Sequence, residues 1–285
     1  MNKINQFKPG VIGLGYVGKA VFSKVNNHFP CLSFDINGSG NQKTLEDLVS
    51  NSNIIFLCLP TPMKKDGTCD LKIIRNVLKS INDIVNRDYL IVIKSTIPPG
   101  STKSFNNNFS NLNIVFNPEF LTEANFLEDF KNQNRIILGG NEEITKIVKS
   151  FYSNLFNEIP IIQTSSDTAE MVKYFANAYL ATKVSYANEM YTLCKKLNID
   201  YDSVVSLAIY DKRIGKSHLN VPGPDNKLGF GGSCFPKDIN ALISIFNDND
   251  VECLVLDSVW KRNISIDRKE KDWEKLIGRS ISDDE

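Results

Sequence analysis

A glycine pattern near the amino terminus constrains the fold of this chain more than any other feature. Gly13, Gly15 and Gly18 form a Gly-x-Gly-x-x-Gly turn between a short apolar strand and a segment of helical character. Asp35 ends the next predicted strand, at the spacing of about 20 residues expected for a carboxylate that binds an adenosine ribose. An acid rather than an arginine at this position favours NAD over NADP. The pattern predicts a dinucleotide-binding unit, and the alternative is a glycine-rich turn beside a surface aspartate.

Further apolar runs continue the alternation of strand and helix. The runs predicted as strands are residues 53–59, 89–94, 113–116 and 135–138. Apolar residues at helical spacing over 70–86 predict an intervening helix. Uninterrupted apolar strands are typical of a parallel sheet covered on both faces. We therefore expect an α/β fold with a Rossmann-type doubly wound parallel sheet over residues 1–165, with ligands beyond the carboxyl ends of its strands.

The pattern changes after this first domain. Residues 167–197 have the periodicity of one long helix, which would span roughly 45 Å at 1.5 Å per residue. Helices are also predicted over 236–247 and 251–273, and the last residues of the chain are expected to be frayed. We therefore expect an all-helical domain at 166–285. So long a helix must pack in a bundle or across a dimer. Because it exposes more apolar surface than a small domain can cover, we expect a dimer or larger assembly built on it.

Composition argues against several classes of function. Lys plus Arg and Asp plus Glu both total 33, so the formal net charge is zero and gives no electrostatic basis for binding nucleic acid or an anionic membrane. No apolar run approaches the roughly 18 residues that span a bilayer, and no signal-peptide core is present. The 6 cysteines contain no Cys-x-x-Cys pair and there are only 2 histidines. We therefore expect no metal site and a reducing, cytoplasmic location.

One stretch suits nucleophilic chemistry. Residues 229–238 read Gly-Phe-Gly-Gly-Ser-Cys-Phe-Pro-Lys-Asp. Pro236 favours the first turn of a helix, so Cys234 lies just ahead of a helix N-terminus, with Lys237 close behind. Both features favour the thiolate form of a cysteine. The competing interpretation is a buried, inert cysteine.

The same stretch resembles the cysteine motif of the UDP-glucose/GDP-mannose dehydrogenase family, whose members oxidise a sugar-nucleotide alcohol to a carboxylate. Further segments resemble that family in the same order: 13–18, 95–98, 117–123, 169–189 and 211–215. The resemblance covers nearly all of residues 9–260. It implies NAD as cofactor, a nucleotide sugar as substrate and a homodimer built on the 167–197 helix.

The resemblance also implies how an alcohol becomes an acid through two hydride transfers. Cys234 would trap the intermediate aldehyde as a thiohemiacetal, and the second oxidation would give a thioester. Lys173 and Asn177, one helical turn apart, would stabilise the oxyanion. Their alternative role is that of a solvated helix face.

Acid–base and binding roles follow from the same resemblance. Glu119 is the candidate base for thioester hydrolysis, Glu123 would help to place Lys173 or a water, and Asp238 with Thr96 would form the route of the first proton. Glu119 could instead complement a helix start, and Thr96 could be a turn residue. The implied cofactor contacts are Gly13, Gly15, Tyr16, Val17, Gly18, Asp35, Pro60, Thr61, Thr96 and Lys237. The implied substrate contacts are Phe120, Leu121, Arg135, Arg213, Lys227, Phe230 and Gly231, with Arg213 reaching the substrate of a neighbouring subunit.

The sequence departs from the family in two places. Some relatives have a lysine where Asn220 falls, and Lys227 is the candidate replacement. Family members also continue into a further domain that holds the UDP, so we expect a short form or a fragment, with a separate chain supplying that domain as the alternative. Two other functions stay open: a two-electron hydroxy-acid dehydrogenase, which would have no use for Cys234, and a non-catalytic nucleotide-binding subunit. The choice among UDP-glucose, UDP-N-acetyl sugars and GDP-mannose is also open.

Overall fold

The computed structural model describes residues 7–86 and 88–283. The strands are β1 (Pro9–Ile12), β2 (Leu32–Phe34), β3 (Ile54–Leu57), β4 (Tyr89–Ile93), β5 (Leu112–Phe116), β6 (Ile136–Gly139) and β7 (Ile161–Thr164). Across the described residues they form one seven-stranded sheet in the order β2-β1-β3-β4-β5-β6-β7. The strand order reverses between β1 and β3, the position at which ligands of such sheets bind.

The Rossmann-type sheet expected from the sequence is confirmed, with the strands at one edge reversed. Strands β1 to β5 are parallel to one another, whereas β6 pairs with β5 in the antiparallel sense at Phe116 and Gly139. Strand β7, which the sequence did not predict, is parallel to β6. Because β6 runs backwards, its first residues, preceded by Arg135, lie at the edge where β1 to β5 end.

The helices are α1 (Tyr16–Asn26), α2 (Leu45–Asn51), α3 (Lys72–Ile84), α4 (Ser101–Asn108), α5 (Phe126–Lys131), α6 (Glu142–Ser153), α7 (Ser166–Leu197), α8 (Tyr201–Ala208), α9 (Phe235–Asp248) and α10 (Leu254–Arg262). Helix α7 confirms the long helix expected from periodicity. The helix expected over 251–273 is wrong in its second half, where a π-helical turn (Asn263–Asp267) and a 3-10 turn (Asp272–Lys275) follow α10. The side-chain amide of Asn263 forms two hydrogen bonds with the backbone of Phe230, which fix the position of the chain here. None of the helices in the described part of the chain is long and apolar enough to cross a membrane.

The sheet is covered on both faces, as its apolar strands predict. In β3, Ile54 and Phe56 belong to the hydrophobic cluster on one face, whereas Ile55 and Leu57 belong to the cluster on the other. All four side chains are fully buried. Burial of each such side chain stabilises the fold by about 1.5–3 kcal/mol.

The described residues form two compact units. Unit 1 comprises those up to Thr61 together with those of Leu71–Lys173, and unit 2 comprises Pro62–Asp70 together with those from Tyr174 onward. Helix α7 therefore begins in unit 1 and continues in unit 2. The division into domains at 1–165 and 166–285 stays a prediction.

The terminal segment up to residue 283 belongs to unit 2, and for these residues the expectation of a frayed end is wrong. The Met63 amide donates to the Ser280 carbonyl, and the Ser282 amide donates to the Met63 carbonyl, each at 2.8 Å. The Ser282 hydroxyl donates to Asp70 Oδ2 at 2.7 Å. These bonds hold the terminal segment against Pro62–Asp70.

Candidate active site

The glycine loop of unit 1 has the shape of a phosphate-binding turn. Gly13 has a φ of +88°, and a Cβ atom at Gly18 would overlap the Gly13 carbonyl oxygen. A Cβ at Gly15 would meet nothing within 4 Å, and no side chain caps the start of α1 at this residue. The first backbone amides of α1 are thus left to bind an anion, which fits the pyrophosphate of NAD.

Asp35 is tied to the same loop. Its Oδ2 accepts a hydrogen bond of 2.6 Å from the Leu14 amide, and its Oδ1 accepts one of 3.1 Å from the Asn37 amide. The carboxylate therefore holds the loop backbone, and each oxygen retains lone pairs for a ribose hydroxyl. Binding of the ribose by Asp35 stays a prediction.

The other predicted cofactor residues differ in exposure. Tyr16 is exposed and its ring lies 5.3 Å from that of Phe126, whereas Thr61 and Thr96 are buried. Val17 and Pro60 are half-buried. Their predicted contacts with NAD stay predictions.

A buried ion pair joins Glu119, just beyond β5, to Lys173 on α7. Lys173 Nζ donates to Glu119 Oε1 at 2.9 Å and to the Glu119 carbonyl at 2.7 Å. The two side chains are only 4% and 9% exposed. The interpretation of Lys173 as part of a solvated helix face is therefore wrong. The Leu121 amide donates to Glu119 Oε2 at 2.7 Å, so both carboxylate oxygens are held.

The charge on Glu119 is set by two opposing effects. Burial acts to raise the pKa of Glu119, but the Lys173 ammonium, the Leu121 amide and the more distant Lys94 ammonium outweigh it, so the pKa lies below its usual range. Glu119 is consequently a carboxylate at neutral pH. A carboxylate held by an ammonium is a weak base, so acting as the base would require Lys173 to release it first.

A second buried lysine lies beside this pair, and sequence reasoning missed it. Lys94 Nζ donates to Asn117 Oδ1 at 2.8 Å, and the Tyr152 hydroxyl donates to the same oxygen at 2.5 Å. Burial lowers the pKa of Lys94 to about 8. The one signal in the sequence was a lysine that directly follows an uninterrupted apolar strand.

In unit 2, Cys234 is the N-cap of α9 and is half-buried. In the first turn of that helix, Asp238 is 1% exposed and has two charged or polar partners. Asn177 Nδ2 donates to Asp238 Oδ2 at 2.6 Å, and Lys237 Nζ donates to Asp238 Oδ1 at 2.5 Å. Asn177 itself is buried, so a solvated helix face is wrong for it too. Helix α7 thus supplies Lys173 to the cluster in unit 1 and Asn177, one helical turn later, to the cluster in unit 2.

Lys237 is a half-buried cation near the thiol of Cys234, with its side chain 12% exposed. Burial acts to lower the pKa of Lys237, but the Asp238 carboxylate and the sulfur atoms of Cys234 and Cys69 outweigh it and raise that pKa. Lys237 therefore stays an ammonium at neutral pH. A cation close to a cysteine favours the thiolate.

The glycine segment ahead of Cys234 is held by two asparagines. The Gly229 amide donates to Asn188 Oδ1 at 3.1 Å. Asn263, which sequence reasoning missed, accepts from the Phe230 amide and donates to the Phe230 carbonyl, both at 2.9 Å. The Phe230 side chain is buried in the core of unit 2. A role for Phe230 and Gly231 in substrate binding stays a prediction.

The remaining predicted substrate residues are engaged with other groups. The Arg135 guanidinium lies 4.3 Å from the centre of the Phe120 ring, a cation–π geometry. Arg213 is exposed and pairs with Asp211, while Lys227 pairs with Asp272 at 3.1 Å.

Two further residues that were predicted to act in the site follow Glu119 in the chain. Leu121 is half-buried and Glu123 is exposed, and their predicted roles stay predictions. Across residues 7–86 and 88–283, no group of three or more His, Cys, Asp or Glu side chains could hold a metal ion.

The Rossmann-type unit with its glycine loop, together with a helical unit, defines a dinucleotide-binding protein of the dehydrogenase class. Residues 36–159 match the NAD-binding domain of the UDP-glucose/GDP-mannose dehydrogenase family, and residues 167–265 match the central domain of that family. The chain belongs to this family, and its cofactor is NAD.

Relatives and solved structures agree with this assignment. The UDP-glucose 6-dehydrogenase of Rickettsia bellii (strain RML369-C) is 40% identical over 221 residues, which is 75% of this chain and 50% of the relative. The UDP-glucose 6-dehydrogenase YwqF of Bacillus subtilis (strain 168) is 33% identical over 293 residues, 89% of this chain and 65% of the relative. The structure of a UDP-glucose dehydrogenase from Pyrobaculum islandicum superimposes with a TM-score of 0.82 at 28% identity, covering 92% of this chain and 69% of that chain. The chain spans about half the length of the first of these relatives.

Proposed function

We propose that this chain catalyses the NAD-dependent four-electron oxidation of a nucleotide sugar, with UDP-glucose as substrate and UDP-glucuronate as product. The observation that carries the proposal is the half-buried Cys234 at the start of α9, near the half-buried ammonium of Lys237. This setting suits a nucleophilic thiolate. A two-electron hydroxy-acid dehydrogenase would have no use for such a residue. Relatives named UDP-glucose 6-dehydrogenase support the choice of sugar nucleotide.

In the first half of the reaction, the substrate alcohol becomes an aldehyde and then a covalent adduct. Bound NAD would accept the hydride in each of the two oxidations. Asp238, with Thr96, takes the proton of the alcohol, and the Cys234 thiolate attacks the aldehyde carbon to give a thiohemiacetal. Lys173 and Asn177 stabilise the resulting oxyanion.

In the second half, the thiohemiacetal is oxidised to a thioester and water hydrolyses it. Glu119 is the base for this water, and its ion pair with Lys173 must open for it to act. Movement of Lys173 from Glu119 to the substrate oxyanion would free the carboxylate and supply the oxyanion with a cation. One motion of Lys173 thus serves both roles.

We also propose that the chain forms a homodimer through α7. A row of large apolar side chains along this helix is exposed to solvent: Phe175, Tyr179, Tyr186, Leu193 and Leu197, each between 49% and 69%. The row follows the helix over most of its length, which favours another elongated helical surface, such as the same helix of a second copy. Arg213, which is 90% exposed, would reach the substrate of the neighbouring subunit.

The finer parts of the proposal concern the substrate and the cell. Arg135, Lys227 and the backbone of the 229–232 segment would contact the nucleotide sugar. We place the reaction in the cytoplasm because all cysteines of the chain are free thiols, as a reducing compartment keeps them.

The test is purified protein with NAD and a panel of UDP-glucose, UDP-N-acetyl sugars and GDP-mannose, with NADH followed by absorbance and the product identified by mass spectrometry. We expect turnover of UDP-glucose to the uronic acid. No NADH with any of these sugars, or turnover that stops at the aldehyde, would contradict the proposal.

A matched pair of cysteine variants tests the nucleophile. Cys234 and Cys253 are both N-caps, of α9 and α10. Cys234→Ser should abolish steady-state turnover because serine is a far weaker nucleophile at neutral pH. Cys253→Ser should keep wild-type turnover because serine is a favourable N-cap. Equal activity of the two variants would make Cys234 a structural residue.

A further inference from the structure

The buried Lys94 has no part in the reaction described above, although its environment is specialised. Its side chain follows β4 and the residue is 3% exposed. A lysine is rarely buried unless a partner compensates for its charge. Its Nζ donates to Asn117 Oδ1 and lies 5.6 Å from the centre of the Phe130 ring.

The bond between Lys94 and Asn117 joins two neighbouring strand ends. Ile93 and Phe116 are paired in the sheet, so Lys94 and Asn117 are the first residues beyond β4 and β5. Each lies two residues ahead of a proposed catalytic residue, Thr96 and Glu119 respectively. The bond therefore links the two backbone segments that carry these groups.

The orientation of Asn117 is fixed independently of Lys94. Its Oδ1 also accepts from the Tyr152 hydroxyl, and its Nδ2 donates to the Ile137 carbonyl at 2.8 Å. Because both ends of the amide are engaged, turning it over would break these bonds. Lys94 thus donates to a rigid acceptor that is an uncharged amide oxygen rather than a carboxylate.

Charged and titratable groups from several elements surround Lys94, while α5 contributes the apolar Phe130 ring. Cys58 follows β3, Glu119 follows β5, Lys173 belongs to α7, and Tyr152 of α6 acts through Asn117. Burial raises the pKa of Cys58 to about 12 and raises the pKa of Tyr152 above its ordinary value, so both groups are uncharged at neutral pH. Of these groups, Glu119 is the one that carries negative charge at neutral pH, and it faces the two ammonium groups of Lys94 and Lys173.

We propose that Lys94 is a positioning residue whose ammonium keeps the Glu119 carboxylate charged and in place when Lys173 leaves it for the substrate. A buried carboxylate with no cation nearby would take up a proton and could not serve as a base. The positive charge of Lys94 opposes proton uptake by Glu119, and it does so without a direct ion pair that would hold the carboxylate. This inference rests on the proposed function, because that function assigns Lys173 to the substrate oxyanion.

The kinetic test compares Lys94→Met and Lys94→Arg with the wild type. Lys94→Met should lower kcat by about tenfold or more, while KM for NAD and for UDP-glucose changes far less. The wild-type kcat should fall as the pH rises through about 8, where Lys94 loses its proton. Lys94→Arg, which stays charged, should not show this fall. Lys103→Met, at an exposed lysine of α4, is the control and should keep wild-type kinetics. A wild-type kcat and pH profile in Lys94→Met would overturn the inference.

A second measurement needs no turnover, so it separates failure of this inference from failure of the proposed function. Urea unfolding at pH 7 of the wild type, Lys94→Met, Glu119→Gln and the double variant gives the coupling between Lys94 and Glu119. The same cycle is repeated with Lys173→Met in every chain. We expect a favourable coupling free energy between Lys94 and Glu119 in the wild-type background. In the Lys173→Met background we expect a stronger coupling, which corresponds to an equilibrium constant about tenfold larger. Zero coupling in the wild-type background, or coupling that does not grow without Lys173, overturns the inference. If the Lys173→Met chains do not fold, the first cycle decides alone.

Discussion

Replacing Lys94 by methionine should stabilise the fold at neutral pH, and the size of the effect follows from its burial. Burial lowers the pKa of Lys94 from 10.5 to about 8. Each pKa unit corresponds to about 1.4 kcal/mol, so the folded protein bears a cost of about 3 kcal/mol wherever Lys94 is protonated in both states. That cost is complete below pH 8 and disappears as the pH rises from about 8 towards 10.5.

Methionine fills a similar volume and cannot titrate, so the variant escapes this cost. It also loses the hydrogen bond to Asn117 Oδ1, which contributes about 1 kcal/mol, although Tyr152 still satisfies that oxygen. We therefore expect Lys94→Met to be more stable than the wild type by about 2 kcal/mol at pH 7. The advantage should vanish, or reverse slightly, near pH 10.5.

Urea unfolding of both proteins at pH 7, 8.5 and 10 measures this difference, with Lys103→Met as the exposed-lysine control. Other lysines and tyrosines titrate in the same range, but they are common to both chains and cancel in the comparison. A variant that is less stable than the wild type at pH 7, or a stability difference that does not change with pH, would refute the reasoning. If the buried lysine is kept for function at a cost in stability, Lys94→Met should be more stable than the wild type and have a lower kcat.

Three further changes have defined outcomes. Asp35→Ser should raise the ratio of kcat/KM for NADP to that for NAD by about tenfold, because the carboxylate repels a 2′-phosphate; an unchanged ratio would show that Asp35 serves only the loop. Phe175→Glu should convert a dimer to a monomer in light scattering, whereas an unaffected dimer would exclude α7 from the interface. Glu170→Ala should lower the free energy of unfolding by about 2 kcal/mol, since its carboxylate accepts hydrogen bonds from the Gly100 and Thr102 amides at the start of α4; no loss in urea unfolding would contradict this.

Local patterns in the sequence were enough to predict most of the first unit and the long helix. The Gly13–Gly18 turn, the acid at Asp35 and the apolar strands each depend on neighbours within a few residues, and period and spacing record such dependence. The motif at 229–238 likewise gave Cys234 at a helix start. The turn, the strands and the helix start were confirmed because local and tertiary preferences coincide there; the role of Asp35 stays a prediction.

The features that were missed depend on partners distant in the chain. Strand β7 is short and half-exposed, so its apolar pattern is weak. The reversal of β6 cannot be inferred from its own residues, which would suit either direction. Asn263 appears as an ordinary helix residue until Phe230 is placed beside it. Lys94 has the sequence context of a solvent-exposed strand end, and the partners that surround it, Asn117 and Phe130, come from later parts of the chain.

The count of NADH formed per molecule of UDP-glucose consumed tests the central claim most directly. With limiting sugar and excess NAD, the account predicts two NADH per sugar, no free aldehyde and uronic acid as the product, because Cys234 retains the intermediate between the two oxidations. One NADH per sugar with release of the aldehyde would contradict a covalent four-electron reaction at this cysteine.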